Sequence, residues 1–189
     1  MKTLRFMSFA AGLALLFVGC TGPAGPEGEP GADGNANVVG SSYAVPVWNV
    51  NATNYYINIS DPNLTSAINN SGTTEVFLTI DAGNTFAALP FTYYGGLNPN
   101  YIWSYTTNVG LVNIYWTNEG SGVGSDPNTI YGQICNFKVV DIASSVMKRH
   151  PNTDWKNYSQ VISVMNQENA QAALNNTPAP IHVQTQSIK

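Results

Sequence analysis

Residues 20–137 contain no lysine and no arginine. Lys2 and Arg5 precede that stretch and Lys138 follows it, while eight carboxylates lie within it: Glu27, Glu29, Asp33, Asp61, Glu75, Asp81, Glu119 and Asp126. Such a surface repels a phosphate backbone, which argues against nucleic acid as a partner. No polybasic run is present to bind anionic lipid. Charged residues of both signs make up only 10% of the chain, against about a quarter in ordinary soluble domains. Histidine is equally scarce: His150 and His182 are the only two. Neither stands at metal-ligand spacing from another His or Cys, so no metal site is expected. A serine triad needs a histidine held by a carboxylate, and no residue pattern marks one. The eleven acidic residues could include a glycosidase pair, but context sets no two of them apart. The expectation is a protein that is not an enzyme and carries no cofactor.

Cysteine is nearly absent too, and its two positions differ in kind. Residues 1–19 read as an export signal, with Lys2 and Arg5 at the charged end and the apolar run 9–18 behind them. That run is too short to span a bilayer. It closes on Phe17-Val18-Gly19-Cys20, which resembles the bacterial lipobox, with Phe17 where leucine is usual. The resemblance implies cleavage before Cys20 and lipidation of its thiol. Membrane contact then runs through the lipid anchor, since two or three acyl chains hold stably where one is marginal. The plainer alternative is a secretory signal that happens to contain a cysteine. Cys135 has no second thiol to pair with, and it lies in the apolar run "IYGQICNFKVV". It reads as a small buried hydrophobe.

What the chain does have begins directly behind Cys20. Gly22, Gly25, Gly28, Gly31 and Gly34 open five Gly-X-Y triplets, with Pro23, Pro26 and Pro30 among them. Glycine at every third place is what the crowded axis of a collagen triple helix demands. The run is short, and Glu27, Glu29 and Asp33 have no basic partners nearby. Two readings stay open. One is a single-chain spacer of roughly 45 Å in polyproline II form; the other is a stalk that makes the protein a homotrimer.

From residue 38 the pattern changes to short β-like runs divided by Asn, Gly and Pro turns. The fold class expected is mainly β, an antiparallel β-sandwich-like domain with a short helix and a C-terminal helix, preceded by signal peptide and extended tether. "SDPNLTSAINNSG" reads as the short helix, capped by Ser60 or Asp61 and ended at Gly72. In "TTEVFLTID", Val76, Leu78 and Ile80 share one face, with Glu75, Phe77 and Thr79 on the other. "NYIWSYTTN" and "GLVNIYWTN" form a hairpin about Asn108 and Gly110. A polar loop then leads into the strongest strand, expected over 130–143. Residues 155–173 suit an amphipathic helix, whose Tyr158, Val161, Ile162 and Met165 make core contacts. The boundaries are 1–19 for the signal, 20–37 for the lipidated cysteine and tether, 38–174 for the globular domain and 175–189 for a flexible tail. The two "DPN" triplets, at 61–63 and 126–128, read as turn and cap chemistry rather than calcium ligands.

Aromatic residues offer the one binding hint. Tyr93, Tyr94, Tyr101, Trp103 and Tyr105 fall within thirteen residues. Alternation puts Tyr101, Trp103 and Tyr105 on one face, the core. Tyr93 and Tyr94 remain as candidate ligand-binding residues on a loop, suited to a glycan or a protein partner.

The order of features resembles a set of small Bacteroidota lipoproteins in which a short collagen-like tether precedes a β-rich domain of unassigned function. The motifs carrying the resemblance are "GNANV" at 34–38, "ALPF" at 88–91, "FKVVDI" at 137–142 and "DWKNYSQVISVM" at 154–165. Lys138 stands where the resembling strand has arginine. The resemblance implies an address in the cell envelope, as an outer-membrane lipoprotein on the periplasmic or the exposed face. It implies no reaction. The functional expectation is an interaction or structural module, with a carbohydrate-binding surface lipoprotein as the alternative.

Overall fold

Strand register sorts ten strands into two five-stranded sheets. The computed structural model describes residues 38–80, 85–94, 100–120, 122–174 and 185–187. The signal, Cys20, the glycine triplets and His182 lie outside the described residues. Sheet A runs in the order β10(Thr185–Ser187), β1(Val38–Val45), β9(Cys135–Ile142), β4(Thr73–Ile80), β5(Thr85–Ala88). Sheet B runs β2(Asn49–Val50), β3(Asn54–Ser60), β8(Leu111–Asn118), β7(Tyr101–Asn108), β6(Phe91–Tyr93). All pairings are antiparallel except β1 with β10. Three short helices, α1(Ser66–Ser71), α2(Pro127–Tyr131) and α3(Ser144–Arg149), and the longer α4(Tyr158–Leu174) complete the described elements. The expected mainly β, sandwich-like domain is what the chain forms. No described helix is long and apolar enough to cross a membrane.

The two faces of β4 and β9 explain a third layer. A strand sends successive side chains to opposite faces. Val76 and Leu78 from β4 and Cys135, Phe137 and Val139 from β9 point into the gap between the sheets. They meet Ile57, Ile59, Trp103, Val112, Ile114 and Trp116 from sheet B. Phe77, Val140 and Ile142 point the other way, where Val146 of α3 and Val161 and Val164 of α4 cover them. Central strands apolar on both faces require cover on both. Tyr158, Val161 and Met165 thus make the expected core contacts, while Ile162 is half-buried. Phe86 stacks on Tyr158 with ring centroids 3.7 Å apart, and Phe77 meets the same ring edge-on at 5.1 Å. Sheet B buries one face only, and Asn58, Asn113 and Thr117 alternate outward from its core residues.

Local chemistry sets the joints. Gly72 ends α1 as expected, and a Cβ there would lie 2.3 Å from the Ile142 carbonyl oxygen, so only glycine fits. Gly110 takes φ +74° in the β7–β8 turn, a conformation glycine adopts without strain. Four expectations are corrected. The cap of α1 is Thr65, whose hydroxyl accepts from the Ile68 amide, because Asp61 is turned inward and holds the Asn63 amide instead. The expected strand over 130–143 begins only at Cys135, since Asp126 caps and Pro127 opens the helix α2. A further helix, α3, follows β9, and its register of apolar residues is too short to stand out in the sequence. Three residues of the expected loose tail, Thr185–Ser187, pair in parallel with Ser42–Ala44 of β1, whose outer edge offers backbone groups to bond.

Candidate functional site

The sandwich has two distinct ends. The chain leads into β1 at Val38, opposite Ile142, and this entrance end also carries Ser60, Asn108 and Thr73. At the far end lie Val45 opposite Cys135, Asn54 opposite Thr117, and Tyr93 opposite Tyr101, itself opposite Asn118. Large exposed apolar side chains divide unevenly between the two. Among the described residues they are Val47, Val50, Tyr94, Val109 and Ile134. Val47 and Val50 flank the crossing from β1 to β2, Tyr94 follows β6, and Ile134 precedes β9, so these four stand at the far end. Val109 alone stands at the entrance end, in the β7–β8 turn.

The far end is closely packed and hydrogen-bonded beneath those side chains. Trp48 packs on Trp103 at 5.5 Å and on Phe137 at 6.0 Å. Tyr101 stacks on Trp116 at 4.5 Å with rings 5° from parallel. Asn128 ties the end together: its amide donates to the carbonyls of Val45 and Pro46, and its oxygen accepts from the Cys135 amide. The Trp116 indole donates to the Ser125 carbonyl and the Trp103 indole to the Tyr131 hydroxyl. Burial pushes the Tyr131 phenol up to about 12, against the hydrogen bond from Trp103. The ring remains neutral, an anchor for α2 rather than an acid.

Tyr93 and Tyr94 differ in burial. Tyr93 is half-buried against Trp116 and Tyr131, with centroids 6.2 and 5.1 Å away, while Tyr94 is 75% exposed. Neighbours in an extended chain point to opposite sides. Tyr101 and Trp103 are buried and Tyr105 is half-buried on the core face, as expected. Cys20, the lipidation residue, lies outside the described residues. Both DPN triplets serve turns: Asp61 holds the Asn63 amide, and Asp126 those of Asn128 and Thr129. Sequence reasoning did not single out Val47, Val50 or Ile134, since a lone aliphatic residue beside a turn carries no signal of exposure.

The charged groups join elements. His150 Nε2 lies 2.8 Å from Glu168 Oε1, and Arg149 holds Glu168 through Nε at 3.1 Å and through Nη2. The Glu168 carboxyl falls below its ordinary value: burial works upward, but the Arg149 and His150 hydrogen bonds and charges outweigh it. This clamp fastens α3 to α4. Lys156, just before α4, pairs with Glu75, which is buried on β4, and also reaches the Leu89 carbonyl.

Cys135 is 2% exposed, and burial, with the Asp126 charge behind it, pushes its thiol up to about 12. The expected result with a thiol reagent at pH 8 is no labelling of this cysteine in the native protein and full labelling in denaturant. Rapid labelling of the native protein would show that the far end opens.

Compared with protein-family models, with curated proteins and with solved structures, the chain matches none.

Proposed function

We propose that the protein is a lipid-anchored module of the cell envelope whose β-domain binds a protein partner at its far end and catalyses no reaction. One observation carries this reading. The chain enters β1 at Val38, at one end of the sandwich, and among the described residues four of five large exposed apolar side chains stand at the other, the end away from the anchor expected at Cys20. Side chains such as Val47, at 66% exposure, lie largely outside the core. Burying a valine or isoleucine fully against a partner stabilises a complex by about 1.5–3 kcal/mol. Tyr94 adds a flat ring with a polar tip, a residue type enriched at interfaces. Close-packed support from the tryptophans below limits the ordering cost of binding. Glycan binding draws on Tyr94 alone, because Tyr93 is turned to the core.

Photo-crosslinking side chains placed in living cells at positions 47, 50, 94 and 134, with position 109 as the control, test the reading. The expected result is one protein crosslinked from several far-end positions and not from 109. Crosslinks from 109 alone, or none from any position, would overturn it. Glycan-array binding that disappears in Tyr94→Ala would replace it with the carbohydrate reading.

A further inference from the structure

We propose that a protonated Asp141, facing Asp61, forms a pH-sensitive latch across the entrance end of the sandwich. Asp141 is on the gap-facing side of β9, in line with Cys135, Phe137 and Val139, and is 1% exposed. Asp61 comes from the sheet B side, directly after β3, and is fully buried. Its Oδ1 accepts from the Asn63 amide at 3.0 Å and from Asn63 Nδ2 at 3.3 Å. Its buried Oδ2 has no donor. Thr74 Oγ1 gives Asp141 Oδ1 one hydrogen bond, at 2.7 Å.

Two ionised carboxylates in this space would each lose hydration and would repel one another. One proton changes that. A protonated Asp141 donates to the Asp61 carboxylate, and the orphan oxygen becomes one partner of a charge-assisted hydrogen bond. Burial first, and the Asp61 charge second, raise the Asp141 carboxyl to about 7, against the Thr74 hydrogen bond.

Among the described residues no cation faces the pair. From β1 come Ser41 and Tyr43, whose phenol is pushed up to about 12 by burial and then by Asp61 and so stays neutral. From β4 comes Thr74, whose backbone carbonyl accepts from the Tyr105 hydroxyl of β7. Lys156 is engaged by Glu75, on the other face of β4. Backbone bonds tie the loop after β3 to the β7–β8 turn at the latch: the Asp61 amide donates to the Gly110 carbonyl, and the Gly110 amide donates to the Leu64 carbonyl. Release of Asp61 therefore frees the loop after β3 and the β7–β8 turn together.

The sign follows from the raised value. Opening exposes Asp141, returns it to an ordinary carboxyl and releases a proton. Stability from this group is fully present below the unfolded value of 3.8 and is lost as the pH climbs through about 7. One proton released makes the opening constant rise about tenfold per pH unit between those limits, then level off.

Amide exchange at residues 61–65 and 108–111, corrected for its intrinsic pH dependence, tests this between pH 5 and pH 7.5. Wild type is expected to show that slope, and Asp141→Asn, which keeps an acceptor for Thr74, to lose it. If the first variant does not fold, Asp61→Asn, which keeps the oxygen that bonds Asn63 and removes the second cause of the raised value but not the burial, takes its place and is expected to level off at a lower pH than wild type. A wild-type opening constant independent of pH, an unchanged slope in Asp141→Asn, or a levelling-off in Asp61→Asn at the wild-type pH would overturn the latch. Restoration of protection at pH 7.5 by millimolar calcium would also overturn it, assigning the pair to a divalent cation.

Discussion

Lys156→Met is expected to lower the stability of the domain by about 2–3 kcal/mol in urea unfolding, the larger part of what a fully buried ion pair loses when one partner goes. The reason lies with Glu75. Its side chain is 6% exposed, on the face of β4 that the helices cover, whereas the Lys156 side chain is half exposed. Lys156 pairs with Glu75, lies over the Tyr105 ring at 5.7 Å and reaches its hydroxyl at 3.5 Å. Burial works to lower the Lys156 ammonium, but the Glu75 hydrogen bond and the neighbouring charges leave it raised, so it stays charged. Methionine keeps the apolar stem and removes the charge. Glu75 is then left with Thr73 Oγ1, at 3.2 Å, as its side-chain donor.

The exposed lysine is what brings the figure below the range for fully buried pairs, because water screens one side. Adding Glu75→Gln to Lys156→Met removes the stranded charge and is expected to restore most of the loss. That non-additivity is the mark of a direct interaction. A single-variant loss below about 0.5 kcal/mol would put this pair with ordinary surface bridges and would leave α4 held by its apolar contacts with sheet A and by the Glu168 clamp.

Much of this architecture is readable before any coordinates, and the parts that are not share a cause. The β7–β8 hairpin announces itself through Asn108 and Gly110, and β4 through its period-two alternation. Phe77 is the informative residue there. A large aromatic on the face opposite Val76 and Leu78 already calls for cover on both sides, and the helices supply it. What escapes is whatever depends on register between distant strands. Asp61 and Asp141 are eighty residues apart in the chain, and only the pairing of β1, β9 and β4 in one sheet, with β3 facing them, brings the two carboxyls together. Short elements escape as well. The five residues of α2 hold too few positions to show a helical period, and its Asp126-Pro127 start reads equally as a turn. The polar strand Thr185–Ser187 carries no apolar alternation at all.

The candidate site was half legible. Alternation correctly sends Tyr101 and Trp103 inward, and the same rule separates Tyr93 from Tyr94, leaving one exposed ring where two were expected. The exposure of Val47, Val50 and Ile134 follows from where the strands stop. Pro46 cannot donate a ladder hydrogen bond, so β1 ends at Val45 and the chain crosses to sheet B with Val47 outside.

The sense of an entrance end and a far end rests on the proposed anchor, and Cys20→Ser tests it with the largest effect of any single change. A serine cannot take the thioether lipid, so a processed Cys20→Ser chain carries no acyl group. Two or three acyl chains make the difference between stable anchoring and release. The measurement is membrane fractionation of cells grown with labelled palmitate. Wild type is expected wholly in the membrane fraction and labelled; Cys20→Ser is expected unlabelled and either released or held back as an uncleaved precursor. Cys20→Ser that is processed to mature size and still fractionates fully with the membrane, or wild type that takes up no label, would contradict the account.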